Sequence, residues 1–187
     1  MITNYALFPN ELSSKFCDLI CNVAEQYPKQ DATIYKTQTI NKGVRSSSLR
    51  WINENKHPEI NFILEAYVKS CNLKYFGFDI SYGPGAYQYT EYRAETKDHF
   101  NWHIDCLRDN SAFYDRKITL CILLSEPSDY EGGVFCLDDV EPKFDINNYK
   151  QRGSMVIFPS YCRHCITPIT KGIRKSLVVW YNGPKFR

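Results

Sequence analysis

The sequence lacks a strong excess of either charge, and it lacks any long apolar run. Its 187 residues carry 23 Lys and Arg against 21 Asp and Glu, which leaves a formal net charge of +2. No long-range field therefore directs the chain to a nucleic-acid backbone or an anionic membrane. The longest apolar stretches, at 118–124 and 176–181, fall far short of the roughly 20 residues that a membrane-spanning helix needs. We expect no membrane association.

The first residues, Met1 to Tyr5, lack the basic region, apolar core and small-residue cleavage site of a secretory signal. We therefore expect a cytoplasmic protein, in the host cytoplasm if a phage encodes it. The chain has eight cysteines, and several lie in apolar, strand-like runs where a free thiol behaves as a small buried hydrophobe. We predict reduced, structural thiols at positions 17, 21, 71, 106, 121, 136, 162 and 165.

No Pro-, Gly- or Ser-rich linker, internal repeat or low-complexity segment divides the chain, which favours one domain over residues 1–187. Apolar residues recur at a helical spacing from Asn10 to Tyr27 and from Pro58 to about Leu73, which predicts two helices. Later runs rich in Val, Ile, Phe and Tyr predict strands near 75–81, 86–93, 99–104, 117–125, 133–138, 154–158, 162–167 and 174–181. This pattern favours a sandwich or barrel with helices outside it.

Histidine is scarce, with four in the chain, so each one can be weighed separately. His103 and Asp105 lie two apart in a predicted strand, where alternation places both side chains on one face. An imidazole and a carboxylate supply two of the three ligands of the facial triad that suits Fe(II). His164 is the candidate for the third ligand. Taken alone, a His-x-Asp pair occurs by chance in many proteins, and His164 could equally be a core or surface histidine.

Arg174 strengthens the metal hypothesis. It begins an apolar predicted strand and shares a face with Ser176 by the same alternation. A guanidinium next to a hydroxyl suits the remote carboxylate of a dicarboxylate cosubstrate. We therefore expect Arg174 and Ser176 to hold such a cosubstrate, on a strand that neighbours the strand of His164.

The whole chain resembles the Fe(II)- and 2-oxoglutarate-dependent dioxygenase superfamily, and within it the prolyl-4-hydroxylase-like enzymes of PKHD type from bacteria and phages. The matching stretches are YQYTEY (87–92), FNWHID (100–105), RKITLCILLSEPSDYEGGVFCL (116–137), QRGSMVIFPSYCRHCITPITKGIRKSLVVWYNGP (151–184) and, more weakly, VRSSSLRWI (44–52). The resemblance implies a mainly β, cupin-like jelly roll, the double-stranded β-helix, with two helices from the first half of the chain packed on one sheet.

The resemblance also implies roles for individual residues. The metal ligands fall on His103, Asp105 and His164, and the 2-oxoglutarate anchor falls on Arg174. Further contacts with the cosubstrate fall on Ser176 and Tyr92. One departure is Cys165, which stands where similar sequences usually have an arginine after the distal histidine.

The implied activity is hydroxylation of a C–H bond with Fe(II) and the cosubstrates 2-oxoglutarate and O₂, releasing succinate and CO₂. Ascorbate is a further candidate cofactor. Peptidyl proline is the favoured substrate, and a free amino acid or a nucleic-acid base is the alternative. Similar demethylases of nucleic acids carry a second arginine six residues after the first, and Trp180 stands there instead. The oligomeric state stays open, and we expect loops 35–50 and 109–115 to form the rim that selects the substrate.

Other classes of function remain open at this stage. A zinc hydrolase or cupin-like isomerase would keep the triad but would leave Arg174 and Ser176 unexplained. A non-enzymatic zinc-binding or thiol-redox β-domain would use Cys162, His164 and Cys165. A structural zinc site needs four ligands, and the later half of the chain offers no second cysteine pair of suitable spacing.

Overall fold

The computed structural model describes residues 4–33, 41–81, 83–106, 113–138 and 140–186. Two helices and twelve strands are assigned in these ranges. The helices are α1 (Ser14–Glu25) and α2 (Pro58–Cys71). The strands are β1 (Ala6–Phe8), β2 (Gln30–Asp31), β3 (Arg45–Ser46), β4 (Ser48–Asn53), β5 (Ala86–Arg93), β6 (His99–His103), β7 (Tyr114–Leu123), β8 (Tyr130–Gly132), β9 (Phe135–Leu137), β10 (Met155–Pro159), β11 (His164–Ile166) and β12 (Ile169–Pro184).

The strands form two antiparallel sheets. The larger sheet has eight strands in the order β1-β10-β7-β12-β5-β4-β2, with β8 paired to the start of β12. The smaller sheet has the order β3-β6-β11-β9. A buried cluster with side chains from both sheets, including Tyr92, Phe135 and Ile166, fills the space between them. This arrangement is the predicted jelly roll.

Both helices lie on the outer face of the larger sheet, as predicted. Their buried stripes include Ile20 of α1 and Leu64 of α2, and these join strand residues such as Leu120 and Leu177 in one core cluster. Burying such side chains is worth about 1.5–3 kcal/mol each, so the packing of both helices on the outer face of the larger sheet stabilises the fold. None of the described helices is long and apolar enough to cross a membrane.

The start of α1 differs from the sequence prediction. The helix is capped by Ser13, whose Oγ accepts a hydrogen bond from the backbone N–H of Phe16. Asn10 lies in a turn before it with a positive φ of 47°, and its N–H donates to Ser154 Oγ. Asparagine and serine are both good caps, but the helix begins after Ser13 and not at the predicted Asn10.

The predicted strand at 75–81 is wrong. The chain from Asn72 to Phe76 forms a π-helical turn that ends at Gly77 in the left-handed conformation. The Asn72 side chain then bonds both the N–H and the C=O of Phe78, at 2.8 Å each. The Asn72 side-chain amide therefore supplies the hydrogen bonds that a neighbouring strand would make. The aromatic residues of this segment still pack against the core cluster between the helices and the larger sheet.

The predicted rim loops are also corrected in part. Within loop 35–50, residues 35–40 lie outside the described residues, but β3 and the start of β4 belong to sheets. Within loop 109–115, residues up to 112 lie outside the described ranges, and Tyr114 and Asp115 belong to β7. The sequence analysis missed β1, β2, β3, β4 and β8, four of which have only two or three residues.

Candidate active site

The smaller sheet and the segment that follows β6 bring His103, Asp105 and His164, here called the triad, to one place. His103 is the last residue of β6 and His164 the first of β11, and the two residues are directly paired across these strands. Asp105 follows β6 by two residues. Its backbone N–H and that of Cys106 both donate to the carbonyl of Ser160, at 2.8 and 3.0 Å, which fixes the chain where the carboxylate enters the site.

The triad has the spacing of a metal-binding group. Its three ligand atoms lie within 4.8 Å of one another, and the described ranges contain no other group of this kind. The Nε2 atom of His103 lies 3.7 Å from Asp105 Oδ1, and the Nε2 atom of His164 lies 3.4 Å from Asp105 Oδ2. The three donors therefore converge on one point from two paired strands of the smaller sheet and the segment after β6.

Main-chain carbonyls set the orientation of both imidazoles. The Nδ1 atom of His103 lies 2.8 Å from the carbonyl oxygen of Asn101, and the Nδ1 atom of His164 lies 3.1 Å from that of Cys162. A carbonyl oxygen only accepts, so Nδ1 must carry the proton in each ring. The lone pair is then on Nε2, which is the atom that faces the carboxylate. This is the tautomer that binds a metal through Nε2.

One hydroxyl, that of Thr119, holds the Asp105 carboxylate. Thr119 on β7, which is fully buried, donates from Oγ1 to Asp105 Oδ2 at 2.8 Å, and its oxygen also lies 2.9 Å from Ser160 Oγ. Burial by itself would raise the pKa of Asp105, but its interactions with His164, His103 and the cationic Arg116 together outweigh burial and lower the pKa below its usual value. The carboxylate is therefore ionised and oriented.

The imidazole of His103 is held neutral. Burial lowers its pKa, and repulsion from His164 lowers it further, while the attraction of Asp105 opposes both without outweighing them. Its ring stacks on Phe100 with centroids 3.5 Å apart, and the His164 ring contacts Phe158 at 4.9 Å. A neutral imidazole beside an ionised carboxylate is the protonation state that metal binding requires.

The three predicted cosubstrate residues lie together in the larger sheet. Arg174 on β12 pairs with Tyr92 on β5, and Ser176 pairs with Thr90. All three line the same cavity as the triad. The guanidinium of Arg174 is 2% exposed, and its Nε and Nη1 atoms have no hydrogen-bond partner within the described part of the chain. A buried cation with free donors is costly without an acceptor, so a carboxylate suits this site.

One detail of the prediction is corrected. The strands of His164 and Arg174 are not neighbours, because β11 pairs with β6 and β9 while β12 pairs with β5, β7 and β8. The two residues face each other from different sheets. The metal site and the anchor therefore lie on opposite walls of the cavity and not on neighbouring strands of one sheet.

The sequence analysis assigned no role to Arg45 or Arg116, yet both line this cavity. Arg45 on β3 is 7% exposed, lies over the Phe100 ring at 4.6 Å, and has a buried Nη2 with no partner in the described ranges. Arg116 lies over the ring of Trp180 at 3.7 Å. Strand alternation would place both side chains on the inner face if β3 and β7 were known. The β3 strand is too short to show an alternating pattern, so the sequence did not reveal it.

The cavity has a volume of about 640 Å³ and reaches from the triad to an aromatic wall. This volume is in the range of small-molecule sites. Its walls come from both sheets, with Phe100, Phe135 and Ile166 on one side and Val178 and Trp180 on the other. It therefore offers an apolar space with cationic and metal-binding groups in its walls.

A cluster of two histidines and one carboxylate in a jelly roll, next to a buried arginine, is typical of non-haem Fe(II) oxygenases that use a 2-oxo acid. The comparison with protein families agrees. The profile described as 2OG-Fe(II) oxygenase superfamily matches residues 87–182, which include the triad, Arg174, Ser176 and Tyr92. The chain belongs to this superfamily. Membership implies Fe(II) and 2-oxoglutarate, and the donor set and the unpaired arginine fit both.

Curated relatives agree with the resemblance to PKHD-type enzymes. A PKHD-type hydroxylase of Nitrosomonas europaea is 33% identical over 90 residues, covering 46% of this chain and 38% of the relative. A PKHD-type hydroxylase of Methylobacillus flagellatus is 34% identical over 93 residues, covering 47% and 40%. The matches thus span less than half of the length of these relatives.

Solved structures confirm the fold. The viral collagen prolyl hydroxylase of Paramecium Bursaria Chlorella virus-1 superposes with a TM-score of 0.70 at 19% identity, covering 96% of each chain. A Trichoplax adhaerens prolyl hydroxylase in complex with a hypoxia inducible factor peptide superposes with a TM-score of 0.73 at 17% identity, covering 96% of this chain and 83% of that one.

The zinc or thiol alternative finds no support in the geometry. Cys162, His164 and Cys165 do not form a metal-binding group in the described ranges. Cys162 packs in the core between the sheets, while Cys165 pairs across the strands with Cys136. None of the eight cysteines is in a disulfide bond, and six of them are buried.

Proposed function

We propose that the protein is an Fe(II)- and 2-oxoglutarate-dependent dioxygenase that hydroxylates a C–H bond of a peptidyl proline. The observation that carries the proposal is the triad with three ligand atoms within 4.8 Å, in the same cavity as a buried arginine that has unpaired donors. His103, Asp105 and His164 would hold the iron. When bound, iron supplies the activation of O₂ that is coupled to conversion of 2-oxoglutarate to succinate and CO₂.

The residues of the chain bind, orient and exclude water. Arg174 would take the remote carboxylate of 2-oxoglutarate through its unpaired Nε and Nη1 atoms, with Ser176 and Tyr92 beside it. An Arg fork binds a carboxylate in a fixed geometry, so the anchor would fix the position of the 2-oxo end relative to the triad. The aromatic walls would keep bulk water from the reacting atoms.

Three observations support a peptide over a nucleic acid. The net charge of +2 offers little attraction for a phosphate backbone. The inner wall holds apolar rings, with Trp180 packed under Arg116 and tilted against Trp51 at 6.1 Å, which suits a ring of apolar atoms such as proline. The relatives named above are hydroxylases of PKHD type and prolyl hydroxylases.

The proposal is tested by succinate release from 2-oxoglutarate under air, with proline peptides, free amino acids and methylated oligonucleotides offered in parallel. We expect the rate of succinate release to exceed the substrate-free rate with the proline peptides and not with the free amino acids or the oligonucleotides. Excess succinate with an oligonucleotide or a free amino acid would support the oxygenase activity but contradict peptidyl proline as the substrate.

The iron assignment is tested separately. We expect His103→Ala and His164→Ala to lose stoichiometric Fe(II) under anaerobic conditions, because each removes one of three ligands. His57→Ala is the matched control, since His57 lies at the start of α2 beside Tyr27 and outside the triad. Unchanged iron content in either triad variant would contradict the assignment.

A further inference from the structure

Cys136 and Cys165 lie directly opposite each other on neighbouring antiparallel strands. Cys136 is on β9 and Cys165 on β11, in the register that also pairs Leu137 with His164. Opposite Cα atoms in such a pair are about 4.5–5.5 Å apart, which is within the roughly 4.4–6.8 Å that a disulfide spans. Little backbone movement is therefore needed to join the two sulfur atoms.

The thiol pair lies outside the cavity. Alternation along β11 turns Cys165 away from the face on which His164 and Ile166 line the cavity, and alternation along β9 does the same for Cys136 beside Phe135. The pair is thus on the outer face of the smaller sheet, behind the wall that carries His164. No proposed metal ligand takes part in it.

The two thiols differ in exposure. Cys136 is half-buried on β9, the last strand of the smaller sheet, whereas Cys165 is 6% exposed. A dissolved oxidant therefore reaches Cys136 first. Redox-sensitive cysteines are typically accessible and lie next to a resolving thiol, and Cys165 is placed to be that thiol.

We propose that Cys136 and Cys165 form a redox-active dithiol that a hydroperoxide converts into an intrachain disulfide. The Cys136 sulfur attacks the peroxide, the O–O bond breaks, and a sulfenic acid forms with release of water. The Cys165 sulfur then attacks the sulfenic sulfur, the S–S bond forms, and a second water leaves. With hydrogen peroxide, two thiols and one H₂O₂ give one disulfide and two waters, so the peroxide gains the two electrons that the thiols lose.

The bond would join the terminal strand of the sheet to the strand of His164. Both strands supply one wall of the cavity, so the disulfide would hold that wall together at its outer face. The inference does not depend on the proposed function, because it uses neither the triad nor Arg174.

The test uses the reduced full-length protein, treated with hydrogen peroxide, alkylated, and digested with trypsin without reduction. Trypsin cleaves after Lys and Arg, which puts Cys136 in peptide 118–143, Cys165 in peptide 164–171 and Cys162 in peptide 153–163. We expect peptide 118–143 linked to peptide 164–171, lighter than the two reduced peptides by two hydrogen atoms. Fragmentation then distinguishes Cys136 from Cys121, which shares the first peptide.

Two variants complete the test. Cys136→Ser should abolish the linked peptide, while Cys21→Ser should retain it, because Cys21 is half-buried like Cys136 but lies on α1. If Cys136→Ser fails to fold, the peptide map of the natural protein decides. The proposal is overturned if all eight thiols stay alkylatable, if the link uses Cys121 or Cys162, or if a mixture of ¹⁵N-labelled and unlabelled protein shows that the link joins two chains.

Discussion

Removal of the Thr119 hydroxyl should weaken metal binding without changing any metal ligand. The Thr119 side chain is fully buried on β7 and donates to Asp105 Oδ2 at 2.8 Å. The same carboxylate oxygen lies 3.4 Å from His164 Nε2. Thr119→Val keeps the shape of the side chain and removes the donor. The carboxylate then loses the hydroxyl that fixes its rotation toward the histidines.

The size of the effect follows from the kind of hydrogen bond. A hydrogen bond to a charged group contributes about 1.5–3 kcal/mol, and each 1.4 kcal/mol is roughly tenfold in affinity. We therefore expect Fe(II) affinity to fall about 10- to 100-fold, which is also the usual cost of losing a residue that orients a metal ligand. Asp105 stays in place, because the Ser160 carbonyl still holds its backbone.

The assay is an anaerobic titration with Fe(II), or with Co(II) followed by its visible absorption. Thr119→Ser is the matched control, since it keeps the hydroxyl and loses only a methyl group. Ser160→Ala should have a smaller effect, because the Ser160 hydroxyl bonds Thr119 rather than the carboxylate. If Thr119→Val binds metal as tightly as Thr119→Ser while both unfold at similar urea concentrations, the hydroxyl does not position Asp105.

Three further predictions concern the anchor and the stability of the fold. Arg174→Ala should weaken 2-oxoglutarate at least tenfold while sparing Fe(II), and an unchanged anaerobic charge-transfer titration would place the anchor elsewhere. Gly172→Ala should destabilise the protein by about 2–5 kcal/mol, because a Cβ there would meet the Asp129 carbonyl at 1.9 Å in addition to a φ of +67°. Gly77 has the same φ, but a Cβ there would have no neighbour within 4 Å. Gly77→Ala should therefore lower the free energy of unfolding, measured with urea, by only about 1 kcal/mol. Equal losses of stability in the two variants would contradict the steric argument. Burial would raise the pKa of Glu91, but its basic partners outweigh burial and lower that pKa. The ion pairs therefore stabilise the fold at a pH above the pKa of Glu91 in the unfolded chain, and this stabilisation is lost as the pH falls through the pKa of Glu91 in the folded protein. Glu91→Gln should lower the free energy of unfolding by about 1 kcal/mol at pH 7 and not at all in strong acid, and an unchanged pH profile of unfolding would exclude this role.

The sequence predicted the residues that obey a local rule. His103 and Asp105 are two apart, and Arg174 and Ser176 are two apart, so an assumed strand alternation predicted that each pair shares a face. In the structure Arg174 and Ser176 lie within β12, whereas β6 ends at His103 and Asp105 follows it. Pro58 correctly marks the first residue of α2, because proline is suited to that position. His164 was the candidate third ligand although no local rule connects it with the other ligands, and the family resemblance then assigned it that role.

The sequence could not predict features that depend on distant parts of the chain. The segment after α2 is apolar and aromatic like a strand, yet the Asn72 amide and Gly77 turn it into irregular structure packed on the core. Arg45 lies in a strand of only two residues, too short for any periodic pattern. The separation of His164 and Arg174 into different sheets is likewise a property of the whole topology.

The way the triad is held explains why so few residues mark such a site in a sequence. Both imidazoles are oriented by main-chain carbonyls two residues before them, and the Asp105 backbone is held by the Ser160 carbonyl. Any residue type supplies a carbonyl, so these supports leave no trace in the residue pattern. Only the three ligands and one hydroxyl, that of Thr119, need particular side chains. Substitutions at the supporting positions that keep the backbone in place should therefore leave metal affinity almost unchanged.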